Sequence, residues 1–292
     1  MNHESAGDSW SLTSAVQAVQ SIAHRLGVDC ADATILHKSK HISIYVHPAN
    51  IVARVLRITG VEAKANLRRE LAIASYLVKT GAPVAAPTAE LPAGPHVCDG
   101  FALTFWPYID HVAMDPENDD HMASATDAMR RLHNALAGYP GDLPFWKDKM
   151  AACRTLLTDG ASLSALGDEK RTFLLMVFDR IMRQLDALPV GSVPIHGDAG
   201  AHNIFITPAG ALYHDLEDVC LGPREWDIAS LLGTDLGTNL SAFEPINHAV
   251  LKAVSELRSC CVAVWCGAHY DIPEKRDAAD YHLAYLQERN SQ

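Results

Sequence analysis

Three oxygen-bearing side chains in the stretch VPIHGDAGAHNIFITPAGALYHDLEDV, residues 193–219, have the types and spacing of a reactive site. Asp198 stands in a loop, Asn203 lies five residues on where that loop runs into IFIT, and Asp215 follows ALYH. IFIT and ALYH are short and apolar around the turn PAG, which is the pattern of a β-hairpin. A hairpin returns the chain to its own start, so Asp215 is expected to end the second strand beside the 198–203 loop. A carboxylate and an amide oxygen suit a hard divalent cation such as Mg²⁺, which takes few protein ligands and completes its shell with water and phosphate oxygens. That gives Asn203 and Asp215 to the metal and leaves Asp198 to orient a hydroxyl or accept its proton. The chemistry open to such a trio is phosphoryl transfer, which rests on positioning and charge neutralisation. The plainer reading makes Asp198 and Asn203 turn residues, a common use of both types.

The flanking elements must carry this loop. Residues 11–26 place Leu12, Val16, Val19, Ile22, Ala23 and Leu26 on one helical face. ATILHK, HISIYVH and NIVARVLRI, within residues 33–58, are short, β-branched and separated by polar or turn-forming residues, so three antiparallel strands are expected. A helix is expected from Glu62 to Lys79, closed by Gly81 and Pro83, with strands near 84–90 and 100–108. Beyond Pro107 and the turn-rich DHVAMDPENDD the pattern is helical: about 121–137, 146–158, 168–188, 226–236, 242–267 and 275–289. The stripe Leu174, Val177, Phe178, Ile181, Leu185 and Leu188 marks a core helix. The expected fold is α+β, with a β-rich lobe over residues 1–107 and a mostly helical lobe over 108–292.

Composition narrows the partners. Of 292 residues, 24 are basic and 35 acidic, a formal net charge of −11, which argues against nucleic acid and favours cationic small molecules. With 48% hydrophobic and 20% charged residues the chain is globular in composition. No apolar run approaches the length of a membrane span. MNHESAGDSW has no basic segment followed by an apolar one, so no signal peptide is expected. Seven scattered cysteines without CxxC point to a reducing cytoplasm, and no His or Cys group has zinc spacing.

HGDAGAHN, then His214-Asp215-Leu216-Glu217-Asp218, then GPREWDIA resemble the aminoglycoside phosphotransferase family of small-molecule kinases. Arg69-Glu70-Leu71, Gly81-Ala82-Pro83-Val84, Leu132-His133 and Trp226-Asp227 fall in that family's order over nearly the whole chain. The resemblance implies a bilobal protein-kinase-like fold: a small antiparallel-sheet N-lobe with one main helix and a larger helical C-lobe carrying a catalytic hairpin. It implies transfer of the γ-phosphoryl group of ATP or GTP, with Mg²⁺, to a hydroxyl of a small amine-bearing molecule. An aminoglycoside-like antibiotic is the family-level expectation. Choline, homoserine, sugars and macrolides are alternatives, as is a non-catalytic pseudokinase.

Residue by residue, Asp198 resembles the catalytic aspartate, and Asn203 and Asp215 the metal ligands. Arg54 stands where the family has a strand lysine holding the nucleotide phosphates, and Glu70 matches its helix partner. Trp106, Pro107 and Ile109 fall in the adenine-binding hinge. Pro107 has only a carbonyl to offer, so the Ile109 N–H is the expected donor. The chain departs from the family in two further places. LHKSKHIS, expected to cover the phosphates, has no glycine, which leaves Ser39 and Lys40 to substitute. Leu216 replaces the usual phenylalanine. Glu217 and Asp218 have two readings: carboxylates lining an acidic acceptor pocket, or charges favoured at a helix start. Asp227 is expected to cap the following helix, His133 to pack against the catalytic loop, and His196 to bond nearby backbone. The partners are thus nucleotide and a small acceptor, without nucleic acid or membrane; the oligomeric state is left open.

Overall fold

A computed structural model of the chain describes residues 12–38, 41–58, 61–236 and 240–291. The chain forms two compact units. The first runs to Val112 and includes His214–Glu217; the second comprises Ala113–Tyr213 and Asp218 onward.

In the first unit, helix α1 (Leu12–Arg25) packs on an antiparallel five-stranded sheet. Its strands are β1 (Cys30–Lys38), β2 (Ile42–Pro48), β3 (Ile51–Arg57), β4 (His96–Cys98) and β5 (Phe101–Pro107), in the spatial order β1-β2-β3-β5-β4. Alternation decides the faces. Ile42, Ile44 and Val46 of β2 and Ile51, Ala53 and Val55 of β3 are buried in one cluster with Phe101, Leu103 and Phe105. Arg54 therefore emerges on the opposite face, paired in register with Ser43 on one side and Thr104 on the other. Helix α2 (Val61–Lys79) buries Leu67, Leu71, Ala74 and Leu77, and the same stripe carries Glu70, which is fully buried.

The strand expected over 84–90 does not form; β4 supplies the sheet edge instead. Pro83 and Pro87 have no N–H to give to a ladder. A weak backbone bond, Thr88 N–H to Phe105 O at 3.4 Å, ties that segment to β5. The two-residue strand β6 (Val112–Ala113) closes this part of the chain.

In the second unit the helices are α3 (Asp119–Leu136), α4 (Trp146–Asp159), α5 (Asp168–Asp186), α6 (Arg224–Leu232), α7 (His248–Gly267) and α8 (Pro273–Asn290). The α5 stripe is buried as expected. Helix α7 starts six residues later than its apolar pattern suggests. The residue before Pro245 is disfavoured in helix, and Asn247 then caps the helix by accepting the Ala249 and Val250 N–H groups. Strands β7 (Val193–Ile195) and β10 (Cys220–Gly222) pair antiparallel, with Cys220 opposite Ile195. Strands β8 (Ile204–Thr207) and β9 (Gly210–Tyr213) form the expected hairpin, with Ile204 opposite Tyr213. No helix among the described residues is long and apolar enough to cross a membrane.

Candidate active site

The loop HGDAGAHN connects β7 to β8 in the second unit, and two backbone features fix its path. Gly197 has φ of +82°, and a Cβ there would lie 2.1 Å from the carbonyl oxygen of Asp218. Only glycine fits both demands. Asp227, fully buried, accepts the backbone N–H of His196 at 2.6 Å and of Gly197 at 2.9 Å, and its Oδ2 meets His133 Nε2 at 2.8 Å. Trp226 Nε1–H donates to Gly197 O at 2.9 Å. Asp227 thus braces the loop rather than capping α6, whose N-cap is Pro223. Burial pushes its pKa up, but the hydrogen bond and charge of His133 outweigh this and hold it below the usual carboxylate value. Gly197→Ala is expected to cost at least ~2 kcal/mol from strain and overlap, read as a lower midpoint in denaturant unfolding.

Asp198 lies within this braced loop, its side chain 28% exposed. Its Oδ2 accepts from Asn203 Nδ2 and from His202 Nε2, each at 3.1 Å, and its Oδ1 accepts from Arg258 Nη2 at 3.3 Å. Burial would raise its pKa. The His202 hydrogen bond and the charges of Arg258 and Lys149 overcome that and hold the carboxyl far below its ordinary value. Asp198 is therefore ionised at neutral pH. Asn203 is buried, and its Nδ2 also donates to Asp198 O at 2.8 Å, which turns Oδ1 into the group it can offer a cation. Lys149, on α4, donates to Asp218 Oδ2 at 2.7 Å and to Gly197 O at 3.3 Å. Burial lowers its pKa, but Asp218 and Asp198 raise it by more. Sequence spacing could not reveal Arg258 or Lys149. Arg258 is one of three charged residues in α7, with Lys252 and Glu256, and nothing in the pattern singles it out.

The first unit holds a second group. Arg54 hydrogen-bonds Glu70 through Nη1 and Asp215 Oδ1 through Nη2, the latter at 2.8 Å. Burial alone would lower the Arg54 pKa, but Glu70, Asp215 and Glu217 raise it, so the guanidinium stays charged. Burial raises the Glu70 pKa against the pull of Arg54, and its Oε2 is buried with no hydrogen-bond partner among the described residues. Asp215 does not end a strand: it lies two residues past Tyr213 with φ of +61°, a left-handed conformation Asp tolerates. Arg54→Lys keeps a charge opposite Glu70 but gives up the fork that reaches both carboxylates. It is expected to cost about 1–2 kcal/mol, measured by chemical denaturation.

Other expected residues are distributed as follows. Glu217 Oε2 accepts from His41 Nε2 at 2.9 Å, and its carbonyl accepts from Arg69 at 3.1 Å, in the first unit. Asp218 belongs to the second unit, in the pair with Lys149. Glu217 is thus paired with His41 and Asp218 with Lys149. Trp106 is buried, with Nε1–H donating to Thr104 Oγ1 at 2.9 Å. Pro107 pairs with Ile51, the Tyr108 N–H donates to Asn50 O at 2.9 Å, and Ile109 O accepts from His111 Nδ1 at 2.7 Å. Ser39 and Lys40 lie outside the described residues. The structure brings Arg54, Glu70 and Asp215 together in one unit, and Asp198 with Asn203 in the other.

The second unit also has a groove of about 1310 Å³. Its lining includes Asp115, Glu117, Asp119, Asp127 and Asp235, and it reaches Ala201 of the HGDAGAHN loop. Arg130, also in the lining, is paired with Asp127 at 2.7 Å.

Residues 44–254 match the model of a family described as the phosphotransferase enzyme family. None of the curated proteins matches the chain in sequence. Solved structures share the fold. A GDP complex of wild-type aminoglycoside 2'-phosphotransferase-IIIa is 15% identical with a TM-score of 0.67, over 94% of this chain and 97% of that one. Amicoumacin kinase hAmiN in complex with AMP-PNP, Ca²⁺ and Ami is 14% identical with a TM-score of 0.71, over 94% and 93%. Choline kinase LicA from Streptococcus pneumoniae is 14% identical with a TM-score of 0.66, over 95% and 100%.

Proposed function

We propose, from the premise that this chain belongs to the phosphotransferase enzyme family, that it transfers the γ-phosphoryl group of ATP or GTP to a hydroxyl of a small cationic molecule. The observation that carries this reading is the Asp198 carboxylate, ionised and held at both oxygens in a loop that Asp227 and Gly197 fix. Asp198 accepts the hydrogen bond of the acceptor hydroxyl and so aims its oxygen at the phosphorus. In a loose transfer the attacking oxygen needs orientation more than early deprotonation, which suits a carboxylate of low basicity.

Asn203, through Oδ1, and Asp215 are assigned as protein ligands of Mg²⁺. Both offer oxygen, and among the described residues no cluster of three His, Cys, Asp or Glu side chains would hold a metal alone. That donor set fits a cation that completes its shell with phosphate oxygens and water. When bound, the cation neutralises charge on the phosphates. Arg54, fixed by Glu70, is assigned to the same nucleotide, as are Trp106 to Ile109 for its base.

Amine recognition is assigned to the acidic groove that reaches Ala201. Glu217 and Asp218 are less suited, since His41 and Lys149 already take their carboxylates. An aminoglycoside-like acceptor fits this chemistry, and one solved relative of the same fold binds GDP with kanamycin. The seven cysteines are all free, which suits a reducing cytoplasm. The test is release of ADP or GDP from the purified chain with Mg²⁺ and ATP or GTP, against kanamycin, spectinomycin and choline. Acceptor-dependent release is expected. No release with any acceptor, together with no nucleotide-induced thermal shift, contradicts the proposal.

A further inference from the structure

Asp198 is tethered from two directions, and the two tethers differ in kind. Asn203 and His202 reach Oδ2 from within the same loop and would move with it. Arg258 reaches Oδ1 from α7, sixty residues away in sequence. Its helix is anchored, because the flanking Leu257, Ser259, Cys260 and Cys261 are all buried. The Arg258 side chain is only 12% exposed, so its charge is sheltered from solvent and faces a carboxylate.

The loop is shaped to admit this contact. A Cβ at Gly200 would lie 2.9 Å from His202 Cε1 and 3.1 Å from Arg258 Nη2. The missing side chain at Gly200 is the space through which both the His202 ring and the Arg258 guanidinium approach. On the far side, His282 of α8 feels Arg258; burial first, then that charge, pushes its pKa down to about 4. Its Nδ1 is buried with no hydrogen-bond partner among the described residues. A neutral His282 adds no second positive charge to compete for Asp198. Lys149 spends its hydrogen bonds on Asp218 and Gly197 O. Among the described residues, Arg258 is thus the one cation from outside the loop that a hydrogen bond ties to the Asp198 carboxylate.

A carboxylate held at one oxygen by its own loop can still swing about its side-chain torsions. Held at the second oxygen by an independent, rigid helix, its plane is set. We propose that Arg258 is a positioning residue: by fixing Oδ1 of Asp198 from α7 it sets the orientation in which that carboxylate meets the acceptor hydroxyl. The kinetic part rests on the role assigned to Asp198 above, whereas the geometric part does not.

The experiment uses the full chain and two variants, Arg258→Met and Arg258→Lys. With kanamycin or choline as acceptor and Mg²⁺ with ATP or GTP, Arg258→Met is expected to lose on the order of 10²-fold in kcat, as misplacement of a reacting group does. KM for acceptor and nucleotide should stay within about twofold, since neither touches Arg258 in this account. Arg258→Lys should recover part of kcat, which a purely structural role would not require. Crystal structures of the wild type and Arg258→Met give a readout independent of turnover, in which the Asp198 carboxylate is expected to rotate. An unmoved Asp198 overturns the proposal even if no acceptor is turned over, a result that would itself count against the phosphotransferase reading alone. Unchanged kcat in Arg258→Met, or a loss confined to KM, also overturns it.

Discussion

Asp198→Ala is expected to lower acceptor-dependent phosphoryl transfer by about 10²–10⁴-fold, the usual contribution of a positioned acid–base group. The deleted carboxylate hydrogen-bonds Asn203, His202 and Arg258 together. Its removal takes away the hydrogen-bond acceptor for the hydroxyl and leaves Arg258, a sheltered cation, without that partner. Asp198→Asn separates the two effects. It keeps the shape and most of the packing but not the charge, so its melting temperature should stay closer to wild type while activity falls comparably. KM for the nucleotide should change little in both. Initial rates of nucleoside diphosphate release across a nucleotide series check this. Equal rates for wild type and Asp198→Asn would remove Asp198 from the mechanism.

Asp227→Ala carries the largest expected loss of stability, about 3–5 kcal/mol, the usual consequence of breaking a buried charged network by deleting one partner. Two backbone N–H groups, of His196 and Gly197, would lose their acceptor, and His133 its carboxylate, at a site with no exposure. Because the folded pKa of Asp227 lies below its unfolded value, its contribution is present above the ordinary carboxylate range. It is lost as pH falls through the lowered folded value. Wild type and Asp227→Asn should therefore differ most near neutrality and converge on strong acidification. Chemical denaturation at several pH values measures both. A pH-independent gap between the two, or none, would mean Asp227 is not an ionised brace.

Local periodicity made the scaffold legible. Period-two burial in ISIYVHP and IVARVLR, the helical stripe of α5 and the IFIT–PAG–ALYH hairpin all follow from neighbours close in sequence. The misreadings come from breakers acting against apolar content. Pro83 and Pro87 deny residues 84–90 a ladder, and Pro245 delays α7 to His248. What stayed hidden was long-range. Asp227 looks like a helix-start acid until its carboxylate is seen to accept N–H groups thirty residues upstream. Arg258 and Lys149 reach the 196–203 loop from helices whose patterns say nothing of that loop. The left-handed backbone of Asp215 and its hydrogen bond to Arg54 were not legible either. Adjacent carboxylates also find separate partners that spacing does not reveal: Glu217 meets His41, and Asp218 meets Lys149.

The most direct measurement is transfer of label from γ-³²P-labelled ATP or GTP, with Mg²⁺, to kanamycin, spectinomycin or choline, in wild type and Asp198→Asn side by side. The account predicts label recovered on a hydroxyl of at least one acceptor with wild type, and its near absence with the variant. Label that appears only as inorganic phosphate with every acceptor, or transfer that survives unchanged in Asp198→Asn, would contradict it.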